Sequence, residues 1–179
     1  MATAPVSLMT FAEFERLPES QSFRYELHHG ELVKVAPPKQ RHHSIQLRIV
    51  RLLWVASGDA GEASTEFGFR PLPEHEYRVA DVAFVSRERW RGIPPDGWLQ
   101  GAPELVIEVL SASNTASEIL DKEQLCLENG CLEFWVVDPI RSQVKVSTSD
   151  GHMHIYKQGE QIPLFFGGTL AVDAIFTEY

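Results

Sequence analysis

The sequence predicts an α/β protein in which a mixed β-sheet is flanked by helices. Three observations carry that expectation. Gln40–Ser57 and the segment after 113–117 place apolar residues at helical spacing, and several short stretches rich in β-branched and aromatic residues read as strands. The patterns come in the order helix, hairpin, helix, several strands, helix, strands, which buries its apolar sides best as a layered sheet with helices on its faces. A chain of 179 residues that is 44% hydrophobic and 23% charged is long enough for one core, so a single domain over 1–179 is expected, with no repeat or linker dividing it.

Each element has a local reason. Thr10-Phe-Ala-Glu13 has the cap residue and the acid three positions on that form a capping box, and Pro18 closes this short helix. Two short strands, Tyr25-Glu-Leu27 and Glu31-Leu-Val-Lys-Val35, flank His28-His29-Gly30 as an N-terminal hairpin, which Pro37-Pro38 ends. In Gln40–Ser57 the residues Ile45, Ile49, Leu52, Leu53 and Ala56 share one side while Arg41, Arg48 and Arg51 gather on another. Residues 62–70, 77–85 and 104–110 read as strands, with Pro94-Pro-Asp-Gly97 a turn between the last two. Cap residues in 113–117 precede Ile119, Leu120, Gln124, Leu125 and Leu127, and Asn129-Gly130 supplies a helix stop. Leu132-Glu-Phe-Trp-Val-Val137 is an apolar strand, and 143–148 with 153–156, split by Asp150-Gly151, make a C-terminal hairpin.

Composition excludes several classes. No stretch approaches the roughly 20 apolar residues of a membrane span, and the first residues lack a secretory pattern, so a soluble cytoplasmic protein with no membrane partner is expected. The two cysteines, Cys126 and Cys131, have a spacing wrong for a zinc knuckle and are expected as reduced thiols. With 16 basic and 25 acidic residues, the net charge of 16 − 25 = −9 argues against a nucleic-acid binder held by its overall field. It leaves room for an enzyme that meets phosphates locally, through 41–51 or through Arg87, Arg89 and Arg91.

The chemistry is in two acids set in apolar strands. Glu108 stands alone among Leu105, Val106, Ile107, Val109 and Leu110, and Asp81 lies within Arg78-Val-Ala-Asp-Val-Ala-Phe-Val85. An ionised carboxylate is expensive to bury without a partner, so both positions ask for a cation. Were the two strands neighbours, the carboxylates would converge, as a hard divalent cation requires. Lys122, the only lysine between Lys39 and Lys145, follows the Glu108 strand closely enough to reach back over it. An ion pair of the acids with Lys122 or an arginine is the other reading. The histidines His28, His29, His42 and His43 do not have zinc spacing, and Trp90, Trp98 and Trp135 suit packing more than base stacking.

An ordered set of motifs resembles the Uma family of restriction-endonuclease-like proteins. It comprises Tyr25-Glu-Leu-His-His-Gly-Glu-Leu32, Pro37-Pro38 with His42, the Val79–Val85 strand, Leu105-Val-Ile-Glu-Val-Leu-Ser111, Asp121-Lys122 with Gly130, and Glu133-Phe-Trp-Val-Val-Asp-Pro139. The likeness runs from about residue 11 to 176, in the family's order. It implies the restriction endonuclease-like fold of the PD-(D/E)XK nucleases, with Asp81 at the motif's aspartate, Glu108 at its glutamate and Lys122 at a lysine moved from strand to helix. Leu110 stands where the ordinary motif has lysine, Ala80 where a proline usually precedes the aspartate, and Cys126 where an aromatic is common four positions after the lysine. Glu31 matches a further family acid and His42 a family histidine.

The resulting expectation is a metal-dependent endonuclease in which Asp81 and Glu108 bind Mg2+ or Mn2+, Lys122 assists the attacking water, Glu31 completes the catalytic set, and DNA is the substrate. Two rivals stand beside it: a catalytically silent module of the same fold acting as a homo-oligomer, a homodimer in the simplest case, and hydrolysis of a small phosphate ester.

Overall fold

The computed structural model describes residues 8–20, 22–112 and 114–177. The chain runs α1 (Phe11–Phe14), β1 (Arg24–His28), β2 (Glu31–Val35), α2 (Gln40–Ser57), β3 (Gly61–Arg70), β4 (Arg78–Ser86), α3 (Arg87–Arg91), β5 (Leu99–Gln100), β6 (Leu105–Val109), α4 (Ala116–Glu128), β7 (Glu133–Asp138), β8 (Gln143–Thr148), β9 (Met153–Tyr156), β10 (Gln161–Pro163), β11 (Thr169–Ala171) and α5 (Val172–Phe176). The capping box at Thr10 and Glu13 forms, and a second one, Thr115 with Glu118, starts α4. Ser113, another of the expected cap residues, lies outside the described residues.

Seven strands make the main sheet in the order β5-β3-β4-β6-β7-β8-β9. Pairing is parallel for β6 with β7 and for β3 with β5, and antiparallel elsewhere, so the sheet is mixed as expected. Two small antiparallel pairs, β1-β2 and β10-β11, stand beside it. The α2 helix covers one face, burying Ile45, Ile49 and Leu53 against Val82, Leu105, Ile107 and Trp135. The α4 helix covers the other through Ile119 and Cys126, which meet Phe69, Val106 and Phe134. Removing a side chain such as Ile49 or Leu53 from water contributes about 1.5–3 kcal/mol, and this anchors α2 on the sheet. Among the described residues no helix is long and apolar enough to cross a membrane, and both cysteines are buried free thiols.

One irregularity in the sheet matters for the site. The pairs Thr65↔Val82 and Phe67↔Ala80 flank a gap in the ladder where Glu66 meets Asp81, and Glu66 has a φ of 52°. A non-glycine residue held in this left-handed region costs on the order of 1–3 kcal/mol. Side chains of a regular strand alternate between faces with a period of two, yet Ala63 packs on the α2 side while Phe67 and Phe69 pack on the α4 side. In β4, Ala80 lies on the α4 side while Val82 and Phe84 lie on the α2 side. Both strands therefore exchange faces at the Glu66–Asp81 step, and Asp81 comes to face α2.

Five short elements, α3, β5, β10, β11 and α5, were not expected from the sequence as such. Residues 87–91, read as a basic segment, form α3: Arg89 bonds Glu104 and the Ala102 carbonyl, Arg87 pairs with the exposed Asp59, and Arg91 is exposed. The pair β10-β11 and the short α5 close the lower edge of the α2-side core through Ile162, Leu170 and Ile175.

Candidate active site

The pairing Val82↔Ile107 sets β4 beside β6 in the antiparallel sense, which brings Asp81 opposite Glu108. The Asp81 amide lies 3.4 Å from Glu108 Oε1. The capping box fixes the first turn of α4, and Lys122 then falls on its inner face. Its ammonium donates to Glu108 Oε1 at 2.7 Å and to the Val79 carbonyl at 2.7 Å. Three residues distant in sequence thus meet at the β4–β6 step.

Electrostatics at this point are dominated by burial. Burial pushes the Glu108 carboxyl up to about 7, with Lys122 pulling it down and the Asp81 charge pushing it further up. Burial works against the charge of Lys122 too, but Glu108, Glu26 and Asp81 outweigh it and raise the ammonium above its usual range. Asp81 is also burdened by burial, yet the His42 hydrogen bond and charge, Lys122 and the Val109 amide hold it below the ordinary carboxylate range.

Asp81 is held from α2 by two residues one turn apart, His42 and Gln46, which share a helix face. His42 Nε2 is 3.1 Å from Asp81 Oδ2, which also accepts the Val109 N–H at 2.7 Å. Asp81 in return raises the His42 pKa, against the opposing effect of burial. Gln46, with 0% exposure, donates from Nε2 to Asp81 Oδ1 at 2.9 Å and to Glu66 Oε1 at 2.5 Å. The second Glu66 oxygen pairs with the Arg24 guanidinium. Arg24 Nε reaches Glu26 Oε1 at 3.2 Å, and His28 Nε2 lies 3.0 Å from Glu26 Oε2. Glu26 is buried, which opposes its ionisation, but the His28 hydrogen bond, Lys122 and Arg24 bring its pKa down to about 2.

A second network joins the hairpin to the same helix. The buried Arg78 donates from Nε to Glu76 Oε2 at 2.8 Å and from a terminal nitrogen to Asp121 Oδ2 at 3.0 Å, while His29 bridges Glu76 and Asp121 at 2.8 Å each. Asp121 precedes Lys122, so the β1-β2 turn, β4 and α4 are fastened next to the lysine.

A family model described as "Putative restriction endonuclease", Uma2, matches residues 11–173. This chain belongs to the Uma2 family. A solved structure from Anabaena variabilis, titled "a putative nuclease belonging to DUF820", superposes with a TM-score of 0.80 at 21% identity, covering 94% of this chain and 97% of that one. At that identity the likeness speaks for the fold, which the two proteins share. No curated protein matches the chain. Uma2 membership gives the protein a nuclease-like character, and restriction-endonuclease-like families generally use divalent metal ions.

The donor set of this Uma2 chain fits a hard ion of that kind. Among the described residues no three His, Cys, Asp or Glu side chains gather to hold a metal by themselves. Two carboxylates with waters and a substrate phosphate suffice for magnesium, and Asp81 and Glu108 supply two. Their side chains retain 14% and 9% exposure, and among the described residues no hydrogen bond falls on Glu108 Oε2.

Not every residue singled out in the sequence comes here. Glu31 is exposed on β2, and among the described residues no hydrogen bond or ion pair joins it to the cluster. The hairpin acid that does lie by Lys122 is Glu26, in the adjacent strand. Glu26 carries the same signal as Glu108, an acid between apolar neighbours, Tyr25 and Leu27. Gln46, fully buried between Ile45 and Ile49, is visible in the sequence as a polar residue on an apolar helix face. The backbone state of Glu66 has no sequence signature.

Proposed function

We propose that this Uma2 protein is a divalent-metal-dependent endonuclease acting on DNA, with Asp81 and Glu108 as the metal-holding acids, Lys122 as the cation at the reacting phosphate, and Glu26 rather than Glu31 as the third acid. One observation carries the reading: Lys122 from α4 donates to Glu108 Oε1 and the Asp81 amide lies 3.4 Å from that same oxygen, so an acid from each of two neighbouring strands and a helix lysine gather at one point. Isolated buried acids are costly, so three acids around one lysine favour a site that a second cation completes.

A divalent ion in such a site polarises a phosphoryl oxygen and lowers the pKa of its bound water toward neutrality. The chain's own residues do the rest. Burial pushes the Glu108 carboxyl up to about 7, so its ionised form gains from a cation beside it, which a divalent ion would supply. The Lys122 ammonium, kept charged by its acids, orients the attacking oxygen and offsets negative charge that grows on the phosphoryl oxygens. His42 and Gln46 keep Asp81 from turning.

A second reading, a silent nuclease-fold module that assembles with itself, draws on the direct Lys122–Glu108 pair. Plasmid DNA incubated with the protein and Mn2+ or Mg2+ separates the two, beside Asp81→Asn and Lys122→Ala variants. Cutting that needs the metal and is lost in both variants supports the enzyme, whereas cutting retained in both removes these residues from the mechanism. A small phosphate ester as the true substrate predicts turnover of a model phosphodiester that DNA does not inhibit. No cutting, with a dimer mass by light scattering, supports the module.

A further inference from the structure

Among the described non-glycine residues with left-handed backbone, His29 and Ser142 sit in turns and Glu66 alone sits inside a strand. Strain of this sort persists only where the surroundings over-determine it, and it concentrates at functional sites. Glu66 marks the step at which β3 and β4 exchange faces, directly across from Asp81. Its carboxylate also has two specific partners, Gln46 through Oε1 and Arg24 through Oε2. Each of those partners holds an acid of the candidate site: Gln46 donates to Asp81 Oδ1, and Arg24 donates to Glu26 Oε1.

We infer that Glu66 is a positioning residue, whose strained backbone turns Asp81 toward α2 and whose carboxylate fixes the orientations of Asp81 and Glu26 through Gln46 and Arg24. The inference rests on the metal-dependent reading above. The Gln46 amide shows why the carboxylate is needed. Its Nε2 serves two carboxylates, and its Oε1 lies 3.1 Å from His43 Nδ1. With Glu66 neutral or absent, the amide is free to turn its oxygen toward Asp81, which repels it. Asp81 then loses the partner on Oδ1 and keeps only the Val109 amide and His42 on Oδ2. Groups behind metal-holding side chains commonly change metal affinity by about 10–100-fold when removed.

Two substitutions remove the carboxylate, one together with the strain and one without it. Glu66→Gly removes the side chain and the conformational strain together, while Glu66→Gln keeps the volume and removes the charge. Both are compared with the wild type by Mn2+ titration calorimetry without DNA, by cleavage kinetics, and by amide-proton exchange at Val109, whose N–H reports the Asp81 orientation. The expected result is Mn2+ binding weakened by about 10–100-fold, kcat lowered with KM for DNA changed less than about threefold, and faster exchange at Val109. In a Gln46→Met background the Glu66→Gln effect shrinks, because the two residues act in series. Val109 exchange at the wild-type rate in both folded variants overturns the inference, whatever the Mn2+ result. A wild-type protein that neither binds Mn2+ nor cuts DNA overturns the nuclease reading instead, and Val109 exchange still decides whether Glu66 positions Asp81.

Discussion

Replacing Lys122 with Met tests the centre of the site through stability alone. The substitution keeps most of the volume and removes an ammonium with two 2.7 Å hydrogen bonds, to Glu108 and to the Val79 carbonyl. The two side chains retain only 10% and 9% exposure, so the change leaves a buried carboxylate without its cation, which costs about 3–5 kcal/mol. The cost depends on pH in a definite direction. An acid whose folded pKa lies above its unfolded value favours the native state below the unfolded value, and that advantage is lost as pH rises through the folded one. Glu108 is already pushed up from 4.5 to about 7 with Lys122 present, and without Lys122 it moves higher. At pH 8 the variant therefore carries a much larger penalty than at pH 5, up to roughly 6–20 °C in Tm for a domain of this size. At pH 5 Glu108 is protonated in the variant, and the loss falls to the missing hydrogen bonds, about 1–2 kcal/mol. Urea unfolding of both proteins at the two pH values measures the difference. Equal destabilisation at pH 5 and pH 8, or a larger loss at pH 5, refutes the picture of a buried acid sustained by this lysine.

Further outcomes follow from the same geometry. Glu26, lowered from 4.5 to about 2, contributes stability that is present above pH 4.5 and lost as pH falls toward 2, worth about 3 kcal/mol; acid unfolding followed by circular dichroism will show this slope in the wild type and not in Glu26→Gln. The raised His42 pKa makes its bond to Asp81 a contribution present below pH 6.5 and lost as pH rises through the raised value. His42→Ala will accordingly cost about 1 kcal/mol at pH 6 and less at pH 9 by the same urea assay. Gly61→Ala places a methyl group 2.3 Å from the Val85 carbonyl and 2.5 Å from the Phe84 ring, and because a backbone oxygen cannot step aside, calorimetry should record a loss of about 1–3 kcal/mol.

The sheet was legible because burial leaves period-two and period-3.6 traces: α2 spans Gln40–Ser57 as its apolar spacing predicts, and the Glu108 strand stands out through its lone charge. Asp81 and Lys122 were legible by contrast with their neighbours, an acid in an apolar run and a lysine where lysines are scarce. What escaped depends on the third dimension. Glu31 and Glu26 both lie in the hairpin, and only the docking of β1 onto β4, through the Leu27–Tyr77 bridge, decides which one meets the lysine. Residues 87–91 read as a phosphate-facing arc because charge alone does not reveal that Arg89 is taken up by Glu104. The face exchange at Glu66 is invisible for a plainer reason, since glutamate has no preference for positive φ.

The Arg78 network has a consequence for synthesis on the ribosome. Asp81 and Glu108 emerge before Asp121 and Lys122, and Arg78 has nothing to fasten the amino-terminal hairpin to α4 until Asp121 arrives. A growing chain that ends at β6 thus carries both strand acids without their ammonium and without the strut beside it. Assembly of the candidate site is deferred until well over half the polypeptide has left the exit tunnel, so its carboxylates and their lysine come together only late in synthesis.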